Sequence, residues 1–354
     1  MAKTIEVLVV DDSAFMRKML TDILDSTDDI RVSGTARNGL EAIDKVKEIK
    51  PDVITLDVHM PSMDGLSCLK EIQKITDTPV IMLSGLTVDG GKATIEALES
   101  GAIDFITKPA GLFEISGEEK KTEIIEKIRM AYDVLVRKHT RKRQVKPVIE
   151  TRPAKEGYGE LKALIVIGTS TGGPKALQEV IPYIPEDISA AILIVQHMPP
   201  GFTKSLADRL NTLSGINVKE GEDGEMIRPG YAYIAPGDFH MEVETGKDGR
   251  LKIRTTKDKP MGGHRPAVNV LMNSIAKTGF PNVIGVIMTG MGSDGKEGIV
   301  SIKESNKAVV ICQDEISCVV YGMPKSAIST GLVDAIVPLK EIAGVIVKYM
   351  GVEQ

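Results

Sequence analysis

The sequence lacks several features that would place it in other classes of protein. Its three cysteines, Cys68, Cys312 and Cys318, have no metal-binding or redox spacing, and their odd number argues against a disulfide framework. The net charge of −5 excludes the generally basic surface that binding to nucleic acid requires. No apolar run approaches the roughly 20 residues of a membrane span, and the N-terminus shows no signal-peptide pattern. We therefore expect a cytoplasmic protein that neither inserts into a membrane nor binds nucleic acid.

The length and the pattern of the chain predict two globular domains of the α/β class. At 354 residues, with 42% hydrophobic and 26% charged residues, the chain is long enough for two separate cores. Strand and helix patterns alternate in both halves but lapse around a basic run at residues 137–143. A basic patch that rests on an acidic partner is the alternative to a solvated linker there. We predict a first domain at residues 1–138, a linker at 139–158 and a second domain at 159–354.

In the first domain, four of the five predicted strands end on polar side chains. The five strand-and-helix units predict a flavodoxin-like fold with a doubly wound parallel sheet, whose carboxyl strand ends share one edge. Repulsion between three carboxylates at that edge is relieved by a cation, and oxygen ligands suit Mg²⁺. A carboxylate beside the metal can accept a phosphoryl group, and a lysine can pair with its charge. The residues concerned are Asp11, Asp12, Asp57, Ser84 and Lys108.

The motifs around these residues resemble the receiver domain of two-component response regulators, over residues 4–138. They are Val10-Asp11-Asp12-Ser13, Leu56-Asp57-Val58-His59-Met60-Pro61, Leu83-Ser84 and Phe105-Ile106-Thr107-Lys108-Pro109. The resemblance implies that Asp57 is the phosphoacceptor and that a histidine kinase is the phosphodonor. It implies Mg²⁺ ligands and switch residues as well. The ligands are Asp11, Asp12, Asp57 and the backbone carbonyl of His59, and the switch residues are Ser84, Phe105 and Lys108.

The second domain begins with a glycine-rich turn that holds a serine. An apolar run at residues 161–167 predicts a buried parallel strand, and a helix pattern follows the turn. Ser170 therefore lies on a strand-to-helix turn of the G-x-S-x-G type, where backbone N–H groups suit an oxyanion. A helix-capping serine and a nucleotide-binding turn are the alternatives, although the G-x-G-x-x-G spacing is absent.

The rest of the second domain predicts a mostly parallel α/β sheet with one antiparallel hairpin, at residues 241–255. His197 follows one predicted strand, and Asp294 lies in a glycine-rich loop after another. A histidine can take the proton of Ser170, and an aspartate can orient the histidine ring. Residue patterns alone leave the choice of these partners open. The rivals are His264, His240 and Asp238.

Five motifs of this half resemble the catalytic domain of the bacterial chemotaxis methylesterase family, over residues 159–350. They are Ile167-Gly168-Thr169-Ser170-Thr171-Gly172-Gly173, Gln196-His197-Met198, Ala235-Pro236-Gly237, His264-Arg265-Pro266 and Thr289-Gly290-Met291-Gly292-Ser293-Asp294-Gly295. The resemblance implies that Ser170 is the nucleophile, His197 the general base and Asp294 its orienting acid. It implies oxyanion groups at Thr171 and at the backbone amide of Met291.

The two resemblances together imply a phosphorylation-regulated hydrolase of chemotactic adaptation. Such an enzyme removes methyl groups from glutamyl methyl esters on the cytoplasmic helices of chemoreceptors, and deamidation of receptor glutamines uses the same chemistry. The esterase reaction needs no cofactor, whereas Mg²⁺ serves phosphorylation of the receiver by the chemotaxis histidine kinase. The alternatives are a nucleotide-binding output and a catalytically silent adaptor. A DNA-binding output is disfavoured because the second half is rich in strands and lacks a recognition helix.

Overall fold

The chain forms two compact units, Met1–Lys146 and Pro147–Gln354. The computed structural model describes residues 3–108, 118–138 and 160–351. The predicted linker at residues 139–158 and the part of the basic run from residue 139 onward therefore lie outside the described residues. The proposed domain limits stay predictions. None of the helices in the described part of the chain combines the length and hydrophobicity that crossing a membrane requires.

The first unit is built on a five-stranded parallel sheet. Its strands are β1 (Ile5–Val10), β2 (Ile30–Ala36), β3 (Val53–Asp57), β4 (Val80–Ser84) and β5 (Asp104–Thr107). Its described helices are α1 (Ala14–Leu24), α2 (Gly39–Ile49), α3 (Gly65–Ile75), α4 (Val88–Glu99) and α5 (Glu118–Lys138). The strand order is β2-β1-β3-β4-β5, with all neighbours parallel. This is the flavodoxin-like order, so the predicted fold class is confirmed.

Polar side chains fix where the helices of the first unit begin. Ser13, Asn38 and Asp64 each precede a helix and accept a hydrogen bond from the backbone N–H of its third residue. The start that Ser13 gives α1 also determines which of its side chains face the core. Phe15 is 51% exposed, and Met16 is buried. The buried face of α1 continues from residue 16 at helical spacing, which leaves residue 15 on the solvent side.

The second unit contains a seven-stranded parallel sheet and a separate antiparallel hairpin. Its strands are β6 (Ala163–Thr169), β7 (Ala190–Gln196), β8 (Asn217–Glu220), β9 (Tyr231–Ile234), β10 (His240–Thr245), β11 (Leu251–Thr256), β12 (Val283–Ile287), β13 (Val309–Gln313) and β14 (Ala335–Val337). Its helices are α6 (Gly173–Gln178), α7 (Phe202–Leu213), α8 (Val268–Thr278), α9 (Lys296–Asn306), α10 (Met323–Ile328) and α11 (Ile342–Tyr349). The order of the large sheet is β14-β13-β12-β6-β7-β9-β8, while β10 and β11 form the hairpin. The predicted fold class is confirmed here too.

Four elements of the second unit, β8, α9, α10 and β14, are absent from the sequence prediction. β8 and β14 are short strands at the two edges of the sheet. β8 is mostly polar, and β14 is only three residues long, so neither has the long apolar run of a central strand. α9 begins after Gly295, which has a positive φ of 94° and no side chain to cap the helix. The glycine-rich stretch therefore conceals the start of α9, because its N-cap position holds Gly295 instead of Ser, Thr or Asp.

The carboxyl ends of three adjacent strands form the part of the sheet that bears the predicted site. β6 and β7 are buried along their whole length, as expected for central parallel strands. β6 pairs with β7 on one side and with β12 on the other. The strand order reverses direction at β6, and α/β sheets bind their ligands at such a switch point. The loops after β12, β6 and β7 consequently lie side by side.

Candidate functional site

The carboxyl edge of the first sheet brings together a lysine and three carboxylates. Lys108 Nζ lies 2.7 Å from Asp11 Oδ2 and 2.7 Å from Asp57 Oδ2. One carboxylate oxygen from each of Asp11, Asp12 and Asp57 lies within 4.8 Å of the others. The three residues follow β1 and end β3, which are neighbours in the sheet. An all-oxygen set of this compactness fits the ligand chemistry of Mg²⁺.

Burial and ion pairing have opposing effects on the pKa values of Asp57 and Lys108. Asp57 is 3% exposed, and burial raises the pKa of its carboxyl above the ordinary value although Lys108 opposes the rise. For Lys108, burial alone lowers the pKa, but the hydrogen bonds to Asp11 and Asp57 outweigh it and raise the pKa overall. The Lys108 ammonium thus pairs with both buried carboxylates, and it lies where it could also pair with a phosphoryl group on Asp57.

The other predicted residues of the first unit lie around this cluster in different ways. The backbone N–H of His59 donates to Asp57 Oδ1 at 3.2 Å, so its main chain belongs to the site. The buried Ser84 hydroxyl donates to the carbonyl of Gly90 at 3.2 Å. Phe105 is 5% exposed, and its carbonyl accepts a 2.6 Å hydrogen bond from Lys127 Nζ. The structure therefore gives Ser84 a buried position at the end of β4 and Phe105 a buried position within β5.

In the second unit, the turn after β6 holds Ser170. Its backbone N–H donates to the carbonyl of Thr289 at 3.0 Å, which ties the serine to the loop after β12. Gly172 has a positive φ of 76°, and the turn continues into α6. A Cβ at Gly173 would lie 1.9 Å from Gln196 Oε1, so the position has no room for a side chain. The predicted strand–turn–helix around the serine is present.

Gln196 links this turn to the histidine loop, and sequence analysis missed it. Its side chain is 2% exposed, and its Oε1 accepts a 2.6 Å hydrogen bond from the Thr169 hydroxyl. Its Nε2 donates to the carbonyl of Ser170 at 2.9 Å and to that of His197 at 3.3 Å. A polar amide at the end of a wholly apolar strand is the signal that identifies it, because burial of an amide requires partners.

The histidine and the aspartate predicted as partners of the serine are in contact. His197 Nε2 lies 2.8 Å from Asp294 Oδ2, and both side chains are 7% exposed. Asp294 also accepts hydrogen bonds from the backbone N–H groups of Val268 and Asn269, at 2.6 and 2.9 Å. Burial alone raises the pKa of this carboxyl, but the hydrogen bonds from His197 and from the backbone outweigh it and lower the pKa. Asp294 is thus held as a carboxylate beside the imidazole.

The second ring nitrogen of His197 is left for other chemistry. His197 Nδ1 is buried and has no hydrogen-bond partner among the described residues. A buried polar nitrogen without a partner is unfavourable unless a reacting group uses it. Because β6 and β7 are adjacent, with Thr169 in register with Gln196, the next residues of the two strands are Ser170 and His197. The imidazole is thereby oriented by Asp294 at one nitrogen and available at the other.

The two predicted oxyanion positions lie in loops that border the serine. The Thr289 hydroxyl donates to the carbonyl of Thr171 at 2.9 Å, which joins the serine turn to the loop after β12. In that loop, a Cβ built on Gly290 would lie 2.8 Å from Ser170 Cβ. Within the described ranges, the backbone N–H of Met291, the next residue, donates no hydrogen bond. The oxyanion role of both residues stays a prediction.

Of the three rival residues, one lies against the histidine. The His264 ring stacks on that of His197, with ring centroids 3.9 Å apart and an angle of 10° between the planes. His240 is buried, and its Nε2 lies 3.2 Å from the carbonyl of Lys259. Asp238 accepts a hydrogen bond from Arg265 Nε at 3.1 Å. The structure therefore brings His264 to the predicted site and gives His240 and Asp238 other partners.

The fold and the two sites define a class of protein. A flavodoxin-like unit with a lysine and three carboxylates at its strand ends has the features of a response-regulator receiver. A second α/β unit with serine, histidine and aspartate on three adjacent strands has those of a serine hydrolase. The chain is thus a response regulator with a hydrolase output domain.

Comparison with known proteins identifies the family. The family model of the response regulator receiver domain matches residues 7–118, and that of the CheB methylesterase matches residues 165–346. A protein-glutamate methylesterase/protein-glutamine glutaminase of Pyrococcus horikoshii is 48% identical over 350 residues, 98% of this chain and 94% of that protein. One from Syntrophomonas wolfei is 46% identical over 341 residues, 95% and 97% of the two chains. The Thermotoga maritima CheB methylesterase catalytic domain is 44% identical, with a TM-score of 0.51, over 52% of this chain and 97% of that domain. The chain belongs to the CheB methylesterase family, which favours the esterase prediction over a nucleotide-binding or adaptor output.

Proposed function

We propose that this chain is a protein-glutamate methylesterase in which Ser170 is the nucleophile, His197 the general base and Asp294 the acid that orients the base. The observation that carries the proposal is the 2.8 Å contact between His197 Nε2 and Asp294, with Nδ1 of the same ring left without a partner among the described residues. The loops that carry His197 and Asp294 follow β7 and β12, the two strands that flank β6, and the serine turn follows β6.

The reaction follows from this arrangement. Ser170 Oγ attacks the ester carbonyl and transfers its proton to His197 Nδ1, while Asp294 stabilises the imidazolium that forms. The proton then goes to the methoxy oxygen, and methanol leaves an acyl-enzyme. A water molecule, deprotonated by the same nitrogen, then attacks the acyl-enzyme. The proton passes from His197 to Ser170 Oγ as the bond to the acyl group breaks, which releases the glutamate side chain and restores the serine. Thr171 and the backbone amide of Met291 are proposed to hold the negative oxygen of both tetrahedral intermediates.

We propose glutamyl methyl esters of chemoreceptor cytoplasmic helices as the substrates, because relatives at 46–48% identity carry the methylesterase name. The same relatives are named glutaminases, and the same attack on a glutamine amide would release ammonia. An amide is the poorer substrate because amines leave less readily than alkoxides. The ester reaction is therefore expected to be the faster of the two.

The receiver is proposed to regulate this activity through Asp57, with a chemotaxis histidine kinase as the phosphodonor. Asp57 would take the phosphoryl group while Lys108, already paired with it at 2.7 Å, meets the added charge. When bound, Mg²⁺ would neutralise the phosphoryl oxygens, held by Asp11, Asp12, Asp57 and the carbonyl of His59. Rearrangement of Ser84 and Phe105 would transmit the phosphorylation of Asp57 to the rest of the chain. Mg²⁺ is proposed to serve the phosphorylation only.

The remaining expectations complete the proposal. We propose a cytoplasmic protein, with a receiver at residues 1–138, a linker at 139–158 and the catalytic domain at 159–354. The kinase and the methylated receptor are its proposed partners. Neither membrane insertion nor binding to nucleic acid is part of the proposed function.

The esterase assignment is tested by methanol release from methylated receptor fragments. Ser170→Ala should abolish release, whereas Ser293→Ala, at an exposed serine beside the site, should leave it near the wild-type rate. Circular dichroism of both variants checks that the fold is retained. Release that persists in a folded Ser170→Ala variant would contradict the proposal.

Regulation is tested with a small phosphodonor and Mg²⁺ in the same assay. Release by the wild-type chain should rise on addition, and Asp57→Ala should stay at its basal rate. Asp77→Asn, at an exposed aspartate of the first unit, is the matched control and should respond as the wild type does. A full response of the Asp57→Ala variant would exclude Asp57 as the phosphoacceptor.

A further inference from the structure

The stacked pair His197 and His264 is a contact that the proposed reaction does not use. The two rings lie nearly parallel, 3.9 Å between centroids. Asp294 holds the His197 ring by one edge atom only, and such a ring can still tilt about that hydrogen bond. A second planar group on its face removes this freedom, because tilting would separate two packed ring surfaces. We infer that His264 is a positioning residue that fixes the ring plane of the general base, an inference that rests on the proposed function of Ser170 and His197.

The backbone around His264 is built to hold the ring in place. Met261 and His264 exchange two backbone hydrogen bonds, both 3.1 Å, across a two-residue turn. The two central residues, Gly262 and Gly263, have φ values of 59° and 82°. Two successive positive φ angles are typical of a type I′ turn, which most other residues resist. The turn therefore fixes the backbone at His264, although its two central glycines are exposed.

Contacts after His264 connect the turn to the catalytic aspartate. Arg265 donates through Nη1 to the carbonyls of Lys257 and Asp258, at 3.1 and 2.9 Å, which closes the base of the loop. Arg265 Nε donates to Asp238 at 3.1 Å. Three residues further on, Val268 N–H donates to Asp294 Oδ2, the oxygen that contacts His197. The same carboxylate thus holds the edge of the base and the chain that supplies its stacking partner.

Stacking also matches the charge change of the reaction. His197 becomes a cation when it takes the proton of the serine. The face of an aromatic ring carries negative potential and attracts a cation placed over it. His264 therefore stabilises the imidazolium as well as its orientation, and a phenyl ring in the same place would do so too. An alanine there would do neither.

The test uses the full chain and two readouts. The first is kcat and KM for methanol release, and the second is the rate at which a fluorophosphonate probe labels Ser170, which needs no methyl ester. His264→Ala should lower kcat and the labelling rate about ten- to a hundredfold, with little change in KM. His264→Phe should restore both rates to within about threefold of the wild type. Met261→Ala, in the same turn, is the control and should match the wild type.

A second comparison separates positioning from a general effect on the fold. In a chain that already carries His197→Gln, adding His264→Ala should cause no further loss, because there is no base to orient. Wild-type rates in His264→Ala, a His264→Phe variant as slow as His264→Ala, or a full additional loss in the His197→Gln background would each overturn the inference. If Ser170 is labelled but no methanol is released, the proposed substrate is refuted. The labelling rates of the His264 variants then still test the inference. A wild-type chain that is not labelled at Ser170 would overturn both.

Discussion

At the scale of single residues, Asp294 has more partners than orientation of a histidine requires. It contacts His197 Nε2 and accepts backbone hydrogen bonds from Val268 and Asn269. A buried carboxylate of this kind is costly unless each lone pair is used, and here the hydrogen bonds outweigh the burial and lower its pKa. The residue therefore contributes to stability and to the proposed catalysis through the same contacts.

Asp294→Asn should reduce methanol release about 10³- to 10⁴-fold, because an amide no longer selects the ring tautomer or stabilises the imidazolium. The effect on stability should depend on pH. Since folding lowers the pKa of Asp294, its carboxylate stabilises the fold above the ordinary value of about 4 and loses this contribution as the pH falls through the lowered value. The free energy of unfolding should thus differ between wild type and variant at about pH 7, and the difference should shrink below about pH 4. A difference that grows on acidification would contradict this assignment.

Gln196→Glu should slow the reaction by aligning the serine and histidine loops less well. The substitution replaces an N–H₂ group that donates to the carbonyls of Ser170 and His197 by a carboxylate oxygen that repels both. We expect a loss of about 1–3 kcal/mol in unfolding free energy, measured with urea, and a lower kcat. Gln73→Glu is the control, because Gln73 is exposed and the added charge stays in water. Equal effects of the two substitutions would show that Gln196 has no special role.

At the scale of elements, α8 and α9 stabilise each other's first turns. Neither helix has a side-chain cap at its own N-cap residue, which is Ala267 for α8 and Gly295 for α9. Asp294, just before α9, accepts from the first turn of α8. Asn269 in α8 accepts in return from the N–H groups of Gly295 and Gly298, both at 2.9 Å. This exchange satisfies helix-end donors that would otherwise be unpaired and fixes the loop that carries Asp294.

Asn269→Ala should therefore destabilise the second unit and reduce activity together. Loss of two buried hydrogen bonds is expected to cost about 1–3 kcal/mol in urea unfolding. The control on the same helix is Asn273→Ala, because Asn273 Oδ1 has no partner among the described residues and little is lost with it. If Asn269→Ala is as stable as the wild type, the hydrogen bonds from Gly295 and Gly298 to Asn269 contribute nothing to stability.

Element by element, the predictability of the fold followed the strength of the local pattern. The central strands and the hairpin could be predicted because continuous or alternating apolar residues define them. The edge strands β8 and β14 could not, since few of their side chains are buried. α9 was missed because its start is capped by Asn269, a residue 27 positions before Lys296 in the sequence.

At the scale of the whole molecule, each unit carries a buried thiol that can report on its own unfolding. Cys68 belongs to the first unit and Cys312 to the second, and both are fully buried. Burial raises the pKa of each thiol to about 12. Both are therefore protonated and inaccessible in the folded protein at neutral pH.

In a Cys318→Ser chain, neither remaining thiol should react with a disulfide reagent at about pH 8 until denaturant is added. Mass spectrometry of the labelled peptides at increasing urea then gives a separate midpoint for Cys68 and for Cys312. Rapid labelling of either thiol in the native protein would contradict the burial. Asn269→Ala should lower the midpoint of Cys312 and leave that of Cys68 unchanged, because the substitution lies in the second unit.

The sequence by itself determined the two α/β halves, the acidic strand ends around Asp57 and the serine turn at Ser170, because each depends on residues that are close together in the chain. Only the tertiary structure decided which partners the serine turn meets. His197 and Asp294 are separated by 97 positions, and their contact depends on β7 and β12 both pairing with β6. The pairing order of distant strands is not encoded in any local pattern, since every buried parallel strand has much the same apolar composition. For the same reason only the fold showed that His264 stacks on His197 and which carbonyls the Gln196 amide joins.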